Sequence, residues 1–316
     1  MKRLSALTFK QLRALDAVAR TGSISRAAEE LGLTAPAVHS QLKTLEDNFG
    51  CALLSRNGQS GFERTAEGDA LLTAFHRAHS GFELAIHRID GLQKGFAGTV
   101  VLGVVSTGKY FAPGLVARLR KAYPEIEIVL RIGNRTSIIS ALHENAIDLA
   151  IMGRPPRDPP VVAVPIGEHP HVLIAPPGHR LAQAPHLRPE DILSETIIMR
   201  EPGSGTRILA TRYLDRIGEG RPYETTEMGS NETIKQAVIA GLGLAMISLH
   251  TVTEELKAGR LVALDVPGLP IMRHWFLLHR EDHALTGAMR TVRDFIDAQK
   301  GSFLPSADDA AGPGMP

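Results

Sequence analysis

Between Leu71 and Leu92 the apolar residues Leu71, Phe75, Ala78, Phe82, Ala85, Ile89 and Leu92 recur at alternating steps of four and three over three heptads. A period of 3.5 residues is the a/d seam of a coiled helix, and an isolated helix cannot bury such a seam. The pattern predicts a long helix whose stripe is covered by the same helix of a second copy; docking on the rest of its own chain is the alternative. His76, His79 and Glu83 share one side of this helix at metal-ligand spacing, but no fourth ligand is near, so they read as a solvated face.

The helix also divides the chain. Before it the text is helical, rich in Ala, Leu, Glu and Arg. After a break near Gly95 to Gly98, apolar runs of four to eight residues alternate with amphipathic stretches, the signature of an α/β sheet. The last residues, GSFLPSADDAAGPGMP, have no periodicity and read as a disordered tail over 301–316. Net charge is +1, so global charge announces no nucleic-acid partner, yet residues 1–65 carry nine Lys or Arg against six Asp or Glu. The one cysteine, Cys51, excludes an intramolecular disulfide. The basic start MKRLSALTFK leads into no apolar signal segment, and no apolar run spans a bilayer, so a cytoplasmic protein without membrane contact is expected.

Three short helices can be read between Thr8 and Gly50. The first carries Phe9, Leu12, Leu15 and Val18 and stops at Gly22. The second starts at Ser23 and buries Ile24, Ala27, Ala28 and Leu31. The third starts at Thr34, has Pro36 in its first turn, and buries Val38, Leu42, Leu45 and Phe49. Two helices joined by a short glycine turn form a helix-turn-helix, whose second helix enters the major groove; a plain helical bundle is the bland alternative. The candidate DNA contacts are Ser23 and Thr34 at the helix starts and Ala35, Pro36, His39, Ser40 and Lys43 on the outward side of the third helix. The stretch CALLSRNGQSGFERT adds Arg56, the turn pairs Asn57-Gly58 and Ser60-Gly61, and Arg64: a hairpin wing with basic shoulders.

In the second half, TVVLGVV, IEIVLRI and DLAIM are strands separated by the helices PGLVARLRKAY and GNRTSIISALHENA. Ligands of such a βαβαβ unit sit beyond the carboxyl ends of its strands. GVVSTGKY nearly spells a phosphate loop, but Val104 and Val105 continue the strand and Tyr110 cannot replace a Mg²⁺-binding hydroxyl, so nucleotide hydrolysis is not expected. Ser106 to Lys109 also spells the Ser-x-x-Lys motif of penicillin-recognising enzymes, without its companion Lys-Thr-Gly. What remains is an anion site. Ser106, Thr107 and Lys109 end the first strand, Asn134 and Arg135 the second, and Arg154 the third. A second lobe adds Gly203, Ser204, Gly205 and Thr206 ahead of a helix with Arg207, and Asn231 after the cap Ser230. The chain is expected to cross between lobes near 161–165 and to return near 267–270.

The segment SISRAAEELGLTAPAVHSQLKTLEDNFGCALLSR, followed by TAEGDALL, resembles the LysR-type transcriptional regulators. It departs from them at Ala35 and His39, where the family often has glutamine and serine, and at Leu53-Leu54 in place of Leu-Phe. The resemblance runs to about Gln299 and implies a winged helix-turn-helix over 1–65, a dimerising linker helix over 66–95 and a two-lobed α/β effector-binding domain of the periplasmic-binding-protein type. Its first lobe would span 96–163 and 268–300, its second 164–267. VVSTGKYFAP, IGNRTSIISAL, DLAIMGRPP and REPGSGTR are similar to the Calvin-cycle subfamily, which controls RuBisCO and associated carbon-fixation operons.

These readings imply a non-enzymatic regulator that activates carbon-fixation genes. Its partners would be duplex DNA with two-fold related half-sites, further copies of the chain in a homodimer or homotetramer, and RNA polymerase. It would hold no resident cofactor; its effector would be a small anion, a phosphorylated metabolite or NADPH. The rivals are a LysR-type regulator of another operon sensing an organic acid, a two-lobed solute-binding protein, and an enzyme; no assembled nucleophile–base set supports the last.

Overall fold

The computed structural model describes residues 2–57, 61–93, 97–184 and 186–305. The chain forms two compact units, Met1–Glu83 and Leu84–Pro316.

The first unit holds helices α1 (Lys2–Ser5), α2 (Phe9–Thr21), α3 (Ile24–Leu31) and α4 (Ala35–Phe49), strands β1 (Leu54–Asn57) and β2 (Gly61–Arg64), and the start of α5 (Ala66–Gln93). Local chemistry sets the first helix boundaries. Thr8 and Gln11 form a reciprocal capping box on α2, Ser23 and Thr34 accept amide hydrogens at the starts of α3 and α4, and Gly22, Gly32 and Gly50 close the three helices in the left-handed conformation. Leu12, Leu15, Val18, Ala27, Ala28, Val38, Leu42 and Leu45 bury against one another. The wing is an antiparallel pair in which Leu54 faces Arg64 and Asn57 faces Gly61; its turn residues 58–60 lie outside the described residues. Glu46 of α4 accepts the Leu53 amide at 2.8 Å and the Leu54 amide at 3.3 Å, fixing where the wing leaves the helices.

The seam of α5 is divided. Its first positions serve the head: Phe75 is buried and Leu71 half-buried in the helical core, and Phe9 meets Phe75 edge-on at 5.7 Å and Phe82 at 5.3 Å. Beyond them Ala78, Phe82, Ala85 and Ile89 are exposed, joined by Ile86, and the side chain of Leu92 lies outside the described residues. The expected solvated face is also partly used, since His76 pairs with Asp16 of α2 at 2.7 Å and His79 with Glu83 at 3.8 Å.

The second unit has two lobes. The first contains β3 (Gly98–Val105), α6 (Ala112–Ala122), β4 (Ile126–Gly133), α7 (Arg135–His143), β5 (Leu149–Met152) and β6 (Val161–Glu168). The second contains β7 (His171–Ala175), α8 (Pro189–Leu193), β8 (Ile197–Arg200), α9 (Gly205–Gly218), β9 (Thr225–Met228), α10 (Asn231–Ile239), β10 (Ala245–Ser248), α11 (Thr253–Lys257) and β11 (Val262–Ala263). The chain then returns to the first lobe as β12 (His274–Arg280) and α12 (Gly287–Ala298). The first-lobe sheet has the order β4-β3-β5-β12-β6, with β3 parallel to β4 and β5; the second lobe has a β10-β7-β11 sheet and a parallel β8-β9 pair.

Two boundaries differ from expectation. The crossing lies at His169–Pro170 rather than near 161–165, because β6 pairs with β12 from Val161 to Glu168. As the edge strand of its sheet, β6 tolerates Pro165. The return runs through Ile271–Arg273, where His171 and Ile271 exchange backbone hydrogen bonds of 3.0 and 2.9 Å. The first residues of the expected disordered tail are instead folded. Residues 301–305 turn back onto the first lobe, with Phe303 buried 5.6 Å from the Phe111 ring, and residues 306–316 lie outside the described residues.

At Gly68, in the first turn of α5, a Cβ would lie 2.0 Å from the carbonyl oxygen of Leu53. Helix propensity alone favours alanine there by about 1 kcal/mol, but a clash with backbone reverses the sign. Gly68→Ala is expected to destabilise the head by roughly 1–3 kcal/mol; a chemical denaturation midpoint equal to or above that of the unaltered chain would contradict this.

Candidate functional site

The head presents one polar helix face. On α4, Pro36, His39, Ser40 and Lys43 are all exposed. The Thr34 hydroxyl, also at the surface, accepts the Ala37 amide at 3.4 Å, and the half-buried Ser23 accepts the Arg26 amide at 3.5 Å. Both hydroxyls thus hold helix starts. Ala35, expected to face outward, is half-buried and packs against the helical core, because the first turn of α4 leans on α3. Arg56 is exposed on β1 with its guanidinium 5.3 Å above the Phe62 ring, which stiffens it in the wing. Arg64 pairs with Asp69 at 2.9 Å.

In the second unit a cleft of about 400 Å³ opens between the lobes. The carboxyl ends of β3 and β5 supply Ser106, Thr107 and Arg154. Arg135 comes from the start of α7, and Ser204, Gly205 and Thr206 from the start of α9. Ser204 caps α9 without giving its side chain to a capping hydrogen bond, so its hydroxyl and the first amides of a 14-residue helix are available to an anion.

The cleft holds more positive charge than the motifs suggested. Arg157, Arg212 and Arg273 join Arg135 and Arg154, and His169 and His171 line it from the crossover. No carboxylate lines the cleft among the described residues. Arg212 had a legible signal: Gly205, Ile208, Leu209 and Arg212 fall on one face of α9 at helical spacing. Arg273, His169 and His171 had none, since they reach the cleft only through the crossover segments. Burial, followed by the neighbouring Arg154 charge, pulls the Arg135 guanidinium below its usual range. Arg135 is also anchored, donating to the Arg154 carbonyl and to Met152 Sδ at 3.7 Å.

Lys109, Asn134, Gly203 and Asn231 do not line the cleft; the first three fasten the lobes together beside it, and Asn231 supports Arg200 within the second lobe. Lys109 Nζ and the Tyr110 hydroxyl each donate to Glu232 at 2.6 Å. Burial would raise the Glu232 carboxyl, but the bonds from Lys109 and Tyr110 outweigh it and hold the group at about 2. Lys109 is thus spent on a carboxylate of the opposite lobe. Asn134 caps α7 through Ser137 and donates to Glu201 at 3.4 Å, while the Gly203 carbonyl accepts the Thr136 amide at 3.1 Å. Asn231 is buried and accepts from Arg200. Arg200, itself buried, clasps Glu201 through two bonds of 2.7 and 2.9 Å and reaches Ser106 at 3.1 Å. Arg207 serves structure, donating to the Arg200 carbonyl and to Glu227 at 2.6 Å each.

A helix-turn-helix head followed by a two-lobed α/β domain with a basic interlobe cleft defines a ligand-responsive DNA-binding regulator. Residues 9–69 match the bacterial regulatory helix-turn-helix protein, lysR family, and residues 93–300 match the LysR substrate binding domain. The chain belongs to the LysR family, a family of transcriptional regulators and not of enzymes. It is 52% identical over 308 residues to the HTH-type transcriptional regulator CbbR of Cereibacter sphaeroides, covering 97% of this chain and 99% of that one. It is 38% identical over 296 residues to the RuBisCO operon transcriptional regulator of Allochromatium vinosum, covering 92% and 95%. Among solved structures, the CcmR regulatory domain of Synechocystis PCC6803 in complex with 2-PG superposes with a TM-score of 0.59 at 33% identity, covering 64% of this chain and 97% of that one. No helix among the described residues is long and apolar enough to cross a membrane.

Burial holds the His171 and His250 imidazoles at about 4, against roughly 6.5 in an unfolded chain. Between those values the unfolded state binds protons that the folded state refuses. This contribution to stability is therefore complete above about pH 6.5 and is lost progressively as the pH falls toward about 4. The second unit is expected to unfold at lower temperature at pH 5.5 than at pH 7, with a shallower slope in His250→Gln; calorimetric scans showing no change across that window would contradict it.

Proposed function

We propose that this chain is a cytoplasmic regulator that activates carbon-fixation genes in response to a small phosphorylated acid bound between the lobes. One observation carries the effector class: five arginines converge on the cleft with no carboxylate among them. Arg154, Arg157, Arg212 and Arg273 have no ion-pair partner among the described residues, so an incoming anion supplies the missing charge. Volume supports a compact ligand. About 400 Å³ lies toward the lower end of the roughly 300–1,000 Å³ that ligand pockets span, which suits a phosphorylated two- or three-carbon acid better than a dinucleotide such as NADPH. The 2-PG complex of the CcmR domain supports the same class. The names of the relatives from Cereibacter sphaeroides and Allochromatium vinosum support the gene target.

The exposed Phe82, Ile86 and Ile89 of α5 call for a partner helix, and a second copy of the chain is the natural one. Two heads then read two-fold related half-sites with the Pro36, His39, Ser40 and Lys43 face in the major groove, the wing arginine Arg56 on the backbone, and RNA polymerase as the next partner of an activator. An anion that binds the closed lobes better than the open ones draws them together and shifts the regulator between two states.

Thermal-shift titration of the full chain with 2-phosphoglycolate, phosphoenolpyruvate and other phosphorylated acids tests the effector. A ligand specific for the folded state must raise the unfolding temperature. Arg154→Ala and Arg212→Ala are each expected to weaken binding at least about tenfold while leaving affinity for promoter DNA within about twofold. Absence of any shift with every anion offered would reject the reading. For the head, Lys43→Ala is expected to lower the slope of log affinity against log salt by about 1, uniformly across sequences. Ser40→Ala is expected to weaken promoter binding more than binding to random duplex, and equal loss on both would place Ser40 on the backbone.

A further inference from the structure

Among the groups lining the cleft, His169 stands out because the fold gives its polar atoms nothing to do. The residue is 4% exposed, lines the cleft, and neither of its ring nitrogens has a hydrogen-bond partner among the described residues. Its ring is held by two others: Trp275 stacks at 3.8 Å with 15° between planes, and His171 lies tilted 4.3 Å away. Nδ1 faces Gly153 at the end of β5, where a Cβ would approach it to 2.9 Å. Any flat apolar ring would fill this stack without the cost of burying two unsatisfied nitrogens, and buried polar groups without partners are rare because that cost is large. The other buried orphans, such as Tyr213 Oη and Ser248 Oγ, lie away from the cleft. Among the described residues, only His169 combines orphaned nitrogens with the basic cavity.

We propose that His169 is a ligand-contacting residue of the interlobe cleft, donating a ring N–H to an oxygen of the bound anion from the segment on which the lobes hinge. The inference rests on the anion reading above and adds a residue and a role to it. The charged and titratable groups around the ring are all basic: His171 and Arg273 on the crossover segments, His250 after β10, Arg154 after β5, and Arg135 and Arg212 from the two helix faces. Burial first, then His171, His250 and Arg273, hold the imidazole well below its ordinary range, so the ring is neutral. A neutral donor suits this place. It offers the anion a hydrogen bond without adding a further positive charge to a crowded set, and a neutral imidazole still carries one N–H. Because the ring lies on Trp275, the chain's single tryptophan, engagement of His169 is coupled to an optical reporter.

The test compares the full-length chain with its His169→Phe, His169→Gln and Arg154→Ala variants, using 2-phosphoglycolate as the probe in calorimetric titrations and following Trp275 emission. His169→Phe keeps the stack and removes both orphaned nitrogens. It is expected to bind the probe at least tenfold more weakly while the ligand-free protein unfolds at an equal or higher temperature; His169→Gln, which retains a donor, is expected to recover part of the affinity. A purely structural histidine gives the reverse, a lower unfolding temperature with affinity within threefold of the unaltered chain, and that result overturns the proposal. Should the phenylalanine variant fail to fold, the unaltered chain decides: saturation with the probe must change Trp275 emission, and unchanged emission at calorimetric saturation overturns the assignment. Normal binding by His169→Phe together with impaired binding by Arg154→Ala rejects His169 alone. No binding by the unaltered chain rejects both the residue and the anion reading.

Discussion

Uncompensated positive charge is the constraint around which the second unit is arranged. Five guanidinium groups on one cavity repel one another, most strongly where burial reduces the solvent's screening, as at Arg135. No carboxylate among the described residues lining the cleft offsets this, so the rest of the fold must supply the stability. The five-stranded sheet of the first lobe and the two apolar clusters of the second provide it, and the returning strand β12 ties the lobes into one chain topology. A carboxylate placed in the cleft would relieve the repulsion and weaken the attraction for the proposed anion.

The ion pairs that do form lie to one side. Lys109 and Tyr110 hold Glu232, and Arg200 joins Glu201, Asn231 and Ser106. Together with the paired segments His169–His171 and Ile271–Arg273, they connect the lobes at the hinge and at a lateral fastening. A ligand can shift such an arrangement only by the difference in its affinity for the two positions of the lobes. In the proposed switch, the fastening would set the starting balance and the arginines the response. That division explains why residues so alike in the sequence, Lys109 and Arg154, have different work.

Much of this was legible before any coordinates. Ser23 and Thr34 cap the helices whose starts they mark in the sequence because an N-cap is a local hydrogen bond, written within four residues. The ends of β3 and β5 lie at the cleft because a parallel sheet places them there. What escaped was set by contacts between residues far apart in the chain. Lys109 meets Glu232 across 123 positions, and no local pattern reports that distance. His169 and Arg273 reach the cavity only because two crossover segments pair. The crossing expected near 161–165 falls inside β6, which accommodates Pro165 because a proline on an edge strand costs no ladder bond, and the sequence does not say which strand is the edge. The period of α5 shows an apolar seam, but Phe75 belongs to the head's own core, which a period alone cannot reveal.

The divided seam has a mechanical consequence. A helix of 28 residues is roughly 42 Å long at 1.5 Å per residue. Its first turns are wedged among the rings and aliphatic groups of the head, and His76 bolts it to α2 through Asp16. The head therefore has no swivel at its base. In the proposed dimer, any rotation of these first turns carries the recognition surface with it, so the pairing of the two stems sets the angle at which the heads meet a duplex.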